Sequence, residues 1–184
     1  MKHDNVVSGN AAALALLAAG TLALSAPSAR AAEQSPDDPV PTEQITAALK
    51  GMGHAPFPIG KPNSGYAQYF TGNSYLQPLA GGSGISVANV TFAPGTINRW
   101  HKHSKSCQVL VGVAGVGYYQ IWGEAPQKME PGTTVTIPEG VKHWHGASGD
   151  AWFQHLSITL DGAGTEWLEP VDPAEYAKLK GADK

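Results

Sequence analysis

From Tyr66 onward the chain breaks into short runs of alternating apolar and polar residues, most of them closed by glycine or proline. A repeat of two sends successive side chains to opposite faces of a strand. The runs 66–71, 74–80, 85–93, 98–103, 107–113, 115–123, 133–137, 142–147 and 151–160 therefore read as strands. Turn signals such as Gly81-Gly82-Ser83-Gly84, Pro94-Gly95, Pro131-Gly132 and Ser148-Gly149-Asp150 separate them. No stretch of helical period intervenes, which argues against alternating strands and helices. The pattern predicts an all-β domain, an antiparallel β-barrel or jelly roll. Short helices are expected only at its ends. One runs over 43–50 with Thr42 as its cap and Gly51 as its stop. The other follows Asp172, with Pro173 in the first position and Gly181 beyond.

The N-terminal third has a different texture. Ala11 to Leu24 is an apolar run of small residues, too short to span a membrane comfortably, and it leads to Ser28-Ala29-Arg30-Ala31. Residues 1–32 are expected to be a secretory signal peptide cut after Ala31 or Ala32, which places the mature protein in the periplasm or outside the cell. Residues 33–64 read as linker and short helix, 65–170 as the barrel and 171–184 as a C-terminal helical tail. Processing would remove Lys2, Asp4 and Arg30 and move the formal charge from −3 to −4. No basic block remains, so nucleic acid is not an expected partner. No long apolar run remains either, so no membrane association is expected after processing. Cys107 is the only cysteine, so no intrachain disulfide can form; it reads as a small buried apolar residue.

Five of the seven histidines fall between positions 101 and 155. On a strand His101 and His103 share a face with Lys102 opposed, and His143 and His145 share a face with Trp144 opposed. Two such pairs converging inside one barrel would hold a divalent metal through nitrogen. Cys107 and Gln108 both follow at ligand spacing but, as neighbours on a strand, cannot both face inward. Cys107 would share its face with Val109 and Val111, Gln108 with Leu110 and Gly112. His155 shares a face with Phe153, Ser157 and Thr159. Trp100, Trp144 and Trp152 alternate away from the histidines and suit packing. Of Tyr118 and Tyr119 only one can face the interior.

The spacings Gly95-x5-His101-x-His103-x4-Gln108 and Pro138-x-Gly140-x2-His143 resemble the paired motifs of the cupin superfamily. The stretch from about Tyr69 to Ile158 resembles small single-domain bacterial cupins called carboxymuconolactone-decarboxylase-like, a group that includes the cupin-type hydroxynitrile lyases. The resemblance implies a cupin-type barrel with one metal held by His101, His103, Gln108 and His143. It selects Gln108 over Cys107, and it places His145 and His155 in the cavity wall as candidate catalytic bases. It also implies that Ala88, Val90 and Thr159 shape the pocket, although ordinary barrel filling is the simpler role for these three. Two features depart from the general cupin pattern: an amide stands where an acidic ligand is common, and Ala147 stands where an asparagine is often found.

Three neutral imidazoles and an amide leave the ion's charge uncompensated, which makes a stronger Lewis acid held less tightly. Such donors suit one divalent transition metal, manganese favoured, with iron, zinc, cobalt and nickel also suited. The resulting expectation is an exported metal-dependent lyase acting on a small hydroxylated substrate such as an α-hydroxynitrile, with a histidine base. An iron-dependent dioxygenase and a non-catalytic binder of a small ligand or metal are the alternatives. A homodimer is expected from the resemblance and from the outward apolar residues on several strands.

Overall fold

The computed structural model describes residues 39–52 and 55–179. The expected signal segment and its cleavage point, His54, and the expected helix stop Gly181 lie outside the described residues. Among the described residues no helix is long and apolar enough to cross a membrane.

The chain enters through α1 (Thr42–Gly51), β1 (Lys61–Pro62) and a 3-10 helix (Ser64–Tyr69). It continues through β2 (Ser74–Ala80), β3 (Ile85–Phe92), β4 (His101–Ser104), β5 (Gln108–Gly115), β6 (Gly117–Ile121), β7 (Gln127–Met129), β8 (Thr134–Ile137), β9 (His143–Ala147), β10 (Phe153–Leu160) and β11 (Gly164–Trp167). It closes with α2 (Pro173–Ala177). The first sheet has the order β1-β2-β3-β10-β5-β8 and the second β11-β4-β9-β6-β7. The strand pairs are antiparallel, so this is the expected all-β jelly roll.

Alternation decides what each face meets. Val90, Phe92, Leu110, Met129, Ile137, Ala147 and Phe153 fill the space between the sheets. Trp100, Trp144 and Tyr118 point to the outer face of the second sheet, where Val171 and Tyr176 cover them. Tyr119 packs against the inner core. Asp172 caps α2 by accepting a hydrogen bond from Ala174 N at 2.8 Å, as its position implied.

Several expectations need correction. Residues 66–71 form no strand. Tyr66 N donates to Asn63 O and Phe70 N to Ala67 O, as in a tight turn, and the pairing with residues 97–99 is limited to one bridge from Phe70 to Asn98 with bonds from Thr71 N to Ile97 O and from Arg99 N to Tyr69 O. The strand expected from residue 98 begins at His101, because the amides of Asn98, Arg99 and Trp100 donate to His145, Tyr69 and Glu169 instead. Thr42 does not cap α1; Pro41 occupies that place and no side chain caps it. Cys107 is exposed rather than buried, because it precedes β5 instead of pairing within it.

One glycine positions the site. A Cβ on Gly146 would lie 2.5 Å from both Ile97 Cα and Thr96 O. Its bare backbone lets residues 96–98 lie against β9, where Ala147 N donates to Thr96 O at 2.9 Å and Asn98 N to His145 O at 3.1 Å.

Candidate metal centre

β4 and β9 pair with His101 directly opposite His143. Each strand places a second histidine two residues on, on the same face. The ring of His101 lies 4.1 Å from that of His143, 5.1 Å from His103 and 5.3 Å from His145, centroid to centroid. One ligand nitrogen from each of His101, His143 and His145 lies within 4.8 Å of the others. Three buried histidines can thus hold a metal ion. His103 stands beside them, 5.5 Å from His143. Gln108 reaches them from the first sheet, with its Oε1 2.9 Å from His143 Nε2.

Hydrogen bonds set which nitrogen is free. His101 Nδ1 lies 3.0 Å from Arg99 O and His143 Nδ1 lies 2.9 Å from Val141 O. A carbonyl only accepts, so both Nδ1 atoms carry the proton and both Nε2 atoms present lone pairs. His103 Nδ1 meets the Thr165 hydroxyl at 3.1 Å, while its Nε2 is buried with no hydrogen-bond partner. Gln108 Nε2 donates to Ser157 Oγ at 2.8 Å, which turns Oε1 toward His143. Two acceptors then face each other at His143 Nε2 and Gln108 Oε1. Turning the amide would relieve that contact, but it would remove the oxygen donor. With the oxygen inward, these lone pairs fit a cation and little else.

Burial keeps the rings neutral. It pushes His101 and His145 well below the ordinary histidine range, with neighbouring histidines adding to the effect. It lowers His143 and His155 to about 4 and also lowers His103. Metal ligation requires this unprotonated form.

Model matching and known relatives agree with this architecture. A family model for the cupin domain matches residues 88–159. An (R)-mandelonitrile lyase from Granulicella tundricola is 37% identical over 119 residues, which cover 62% of this chain and 90% of that protein. The chain belongs to the cupin family. Germin-like protein 3-7 of rice (Oryza sativa subsp. japonica) is 28% identical over 141 residues, 74% of this cupin but only 55% of the plant protein. A crystal structure of a cupin-like protein from Thermotoga maritima has 31% identity and a TM-score of 0.63, covering 70% of this chain and 98% of its own.

A cavity of about 260 Å³ opens beside the histidines. His101, His103, Gln108 and His145 line it, as do Val90 and Thr159; Ala88 does not. His155 is fully buried behind His145, with its Nε2 3.1 Å from His145 Nδ1, and is not part of the cavity wall. Its contact toward the cavity runs through His145. Neither Tyr118 nor Tyr119 reaches the cavity.

Several lining residues escaped the sequence reading. Asn98 holds His145 from two sides: its Oδ1 accepts from His145 N at 2.9 Å, and its Nδ2 lies 3.2 Å from the ring Nε2. Thr165 and Trp167 come from β11, a strand with no alternation to reveal it. Trp167 lies 4.9 Å from the His101 ring and stacks on Tyr69 at 4.5 Å. Ser157 was legible only as a facemate of His155 and Thr159.

Proposed function

We propose that this cupin is a metal-dependent lyase that cleaves a small hydroxylated substrate such as an α-hydroxynitrile. The observation that carries the reading is the buried, partnerless Nε2 of His103 beside inward lone pairs on His101, His143 and Gln108, with His145 lining the same cavity. The proposed ligands are His101, His103, Gln108 and His143, with manganese favoured over iron, zinc, cobalt or nickel. His145 lies near enough to be a ligand too, but its Nδ1 is engaged with His155 and its Nε2 faces the amide of Asn98. That suits a base better than a ligand. A bound divalent ion without a carboxylate in its shell supplies strong Lewis acidity toward a substrate hydroxyl.

The chain's own residues do the rest. The cavity admits a ligand of modest size and buries its polar end among the histidines. His145 takes the hydroxyl proton. With its Nδ1 proton directed at His155 Nε2, the accepting atom is Nε2, and the Asn98 Nδ2 that faces it has to yield that lone pair to the substrate hydroxyl. As the carbonyl forms, the bond to the nitrile carbon breaks and its electron pair leaves with that carbon. The low basicity of buried His145 then favours handing the proton on to the departing cyanide. The (R)-mandelonitrile lyase named above, similar over most of its own length, supports this choice of reaction.

The test compares metal-loaded and metal-stripped protein for release of benzaldehyde from mandelonitrile. Equal rates would refute metal-dependent lysis, and oxygen uptake with a phenolic substrate would favour the dioxygenase alternative. A homodimer through the outer face of the first sheet forms part of the same proposal. It is supported by Ile85 and Leu160, paired in register and 50% and 49% exposed.

A further inference from the structure

The polar wall of the cavity opposite the histidines has no assigned role. Ser157 and Thr159 lie two residues apart on β10, so their side chains share a face, and both line the cavity. Two residues along a strand set them about 6–7 Å apart. Gln108 Nε2 points at Ser157 Oγ from 2.8 Å. An amide N–H can only donate, so the serine oxygen is the acceptor and its own proton remains to be given elsewhere. No acceptor for that proton, and no side-chain partner for Thr159, is present among the described residues. Gln108 is almost wholly buried, which keeps Ser157 in the donor role.

We propose that Ser157, with Thr159 beside it, is a hydrogen-bond-donating seat for a nitrile or for the cyanide that leaves it. The seat rests on the lyase reading for its chemistry, but its donors exist without it. During elimination the bond between the carbinol carbon and the nitrile carbon breaks and its electron pair departs with the nitrile carbon. The O–H pair becomes the carbonyl bond, and the proton passes through His145 to cyanide, so no oxidant or reductant is needed. The negative charge that grows on the nitrile sits against the half-buried Ser157 and Thr159, where a preset donor stabilises it. The histidines cannot serve both ends of one small substrate. A second polar contact across the cavity also fixes which way the third substituent points, so Ser157 governs orientation as well as rate.

Phenylacetonitrile, which lacks the hydroxyl and cannot be cleaved, is the probe. It is added to metal-loaded protein, in which the ion keeps the Gln108 oxygen inward, and the C≡N stretch is read by infrared spectroscopy alongside its affinity. A nitrile that accepts a hydrogen bond absorbs at higher frequency than in hydrocarbon solvent. The wild type is expected to show that shift. Ser157→Ala should lose it and bind about three- to tenfold more weakly, while Ser157→Thr should keep it. Thr159→Ala should show a smaller loss, which keeps the test independent of a single variant. A spectrum unchanged in Ser157→Ala, or no saturable binding, overturns the proposal. A shift without benzaldehyde release from mandelonitrile retains the seat and discards the lyase; release without a shift does the reverse.

Discussion

Acid should unfold the metal-free protein over a window set by its buried histidines. His101, His103, His143, His145 and His155 are all at most 7% exposed. Burial holds His143 and His155 at about 4, whereas the unfolded chain titrates near 6.5. The folded state therefore binds fewer protons than the unfolded state between these values. Stability is complete above the unfolded value and falls as pH drops toward the folded one. Each of the two residues accounts for a loss of about 3 kcal/mol across that span, roughly 6 kcal/mol together. His101, His103 and His145 shift in the same direction and add to it. A domain of this size has a total stability of about 5–15 kcal/mol, so the histidines alone can exhaust it. Urea unfolding followed by tryptophan fluorescence and circular dichroism, with chelator present, at pH 7.5, 6.5, 5.5 and 4.5 measures the loss; most carboxylates remain ionised throughout. A free energy that changes by less than about 1 kcal/mol between the end points would refute the reasoning. Metal-loaded protein should hold its stability to lower pH, because protons must first displace the ion.

Gln108→Glu should bind a divalent metal at least about tenfold more tightly, since a carboxylate cancels one unit of its charge, and should turn substrate over more slowly; chelator competition and initial rates check both. Gly146→Ala should cost about 1–3 kcal/mol in urea unfolding, because its Cβ would strike Ile97 Cα and Thr96 O. A cost near zero would mean that residues 96–98 are not held against β9. Leu160→Glu should convert the expected dimer to a monomer in light scattering, since Leu160 and Ile85 pair on an exposed face; an unchanged mass would place the interface elsewhere or nowhere.

The barrel was legible because strands of period two, punctuated by glycine and proline, leave few alternatives. His101 and His103 on β4, and His143 and His145 on β9, needed only that period to be placed on common faces. Long-range partners that local pattern does not encode stayed hidden. Trp167 and Thr165 enter the cavity on β11, whose Gly164-Thr165-Glu166-Trp167 has no apolar alternation and is held by pairing with β4. Asn98 reaches His145 because its segment leaves the strand ladder, which looked like simple continuation of β4. His155 could be assigned to a face but not to a depth: the sequence separates neither His145 from His155 nor the cavity wall from what lies behind it. The 3-10 turn carrying Tyr66 resembles a strand in composition and differs only in where its amides find acceptors.

Gln108 links the two halves of the chemistry. Its amide has one accepting and one donating end, and the barrel gives each end a different neighbour: His143 on the second sheet and Ser157 on the first. With the oxygen turned to the histidines, the nitrogen must face Ser157, and the serine proton is then left for the cavity. A glutamate at 108 breaks this relation even though it has the same shape. Both of its ends accept, so Ser157 would donate to the carboxylate and turn its proton away from the cavity. The loss of turnover expected for Gln108→Glu therefore has two separable causes, a weaker Lewis acid and a missing donor. The nitrile stretch of Gln108→Glu, compared with the wild type in the same metal-loaded state and with Ser157→Ala as the reference for a missing donor, reports the second. Loss of the shift there, with the shift kept in Gln108→Met, whose side chain leaves the serine unclaimed, would show that the carboxylate removes the donor by accepting the Ser157 proton.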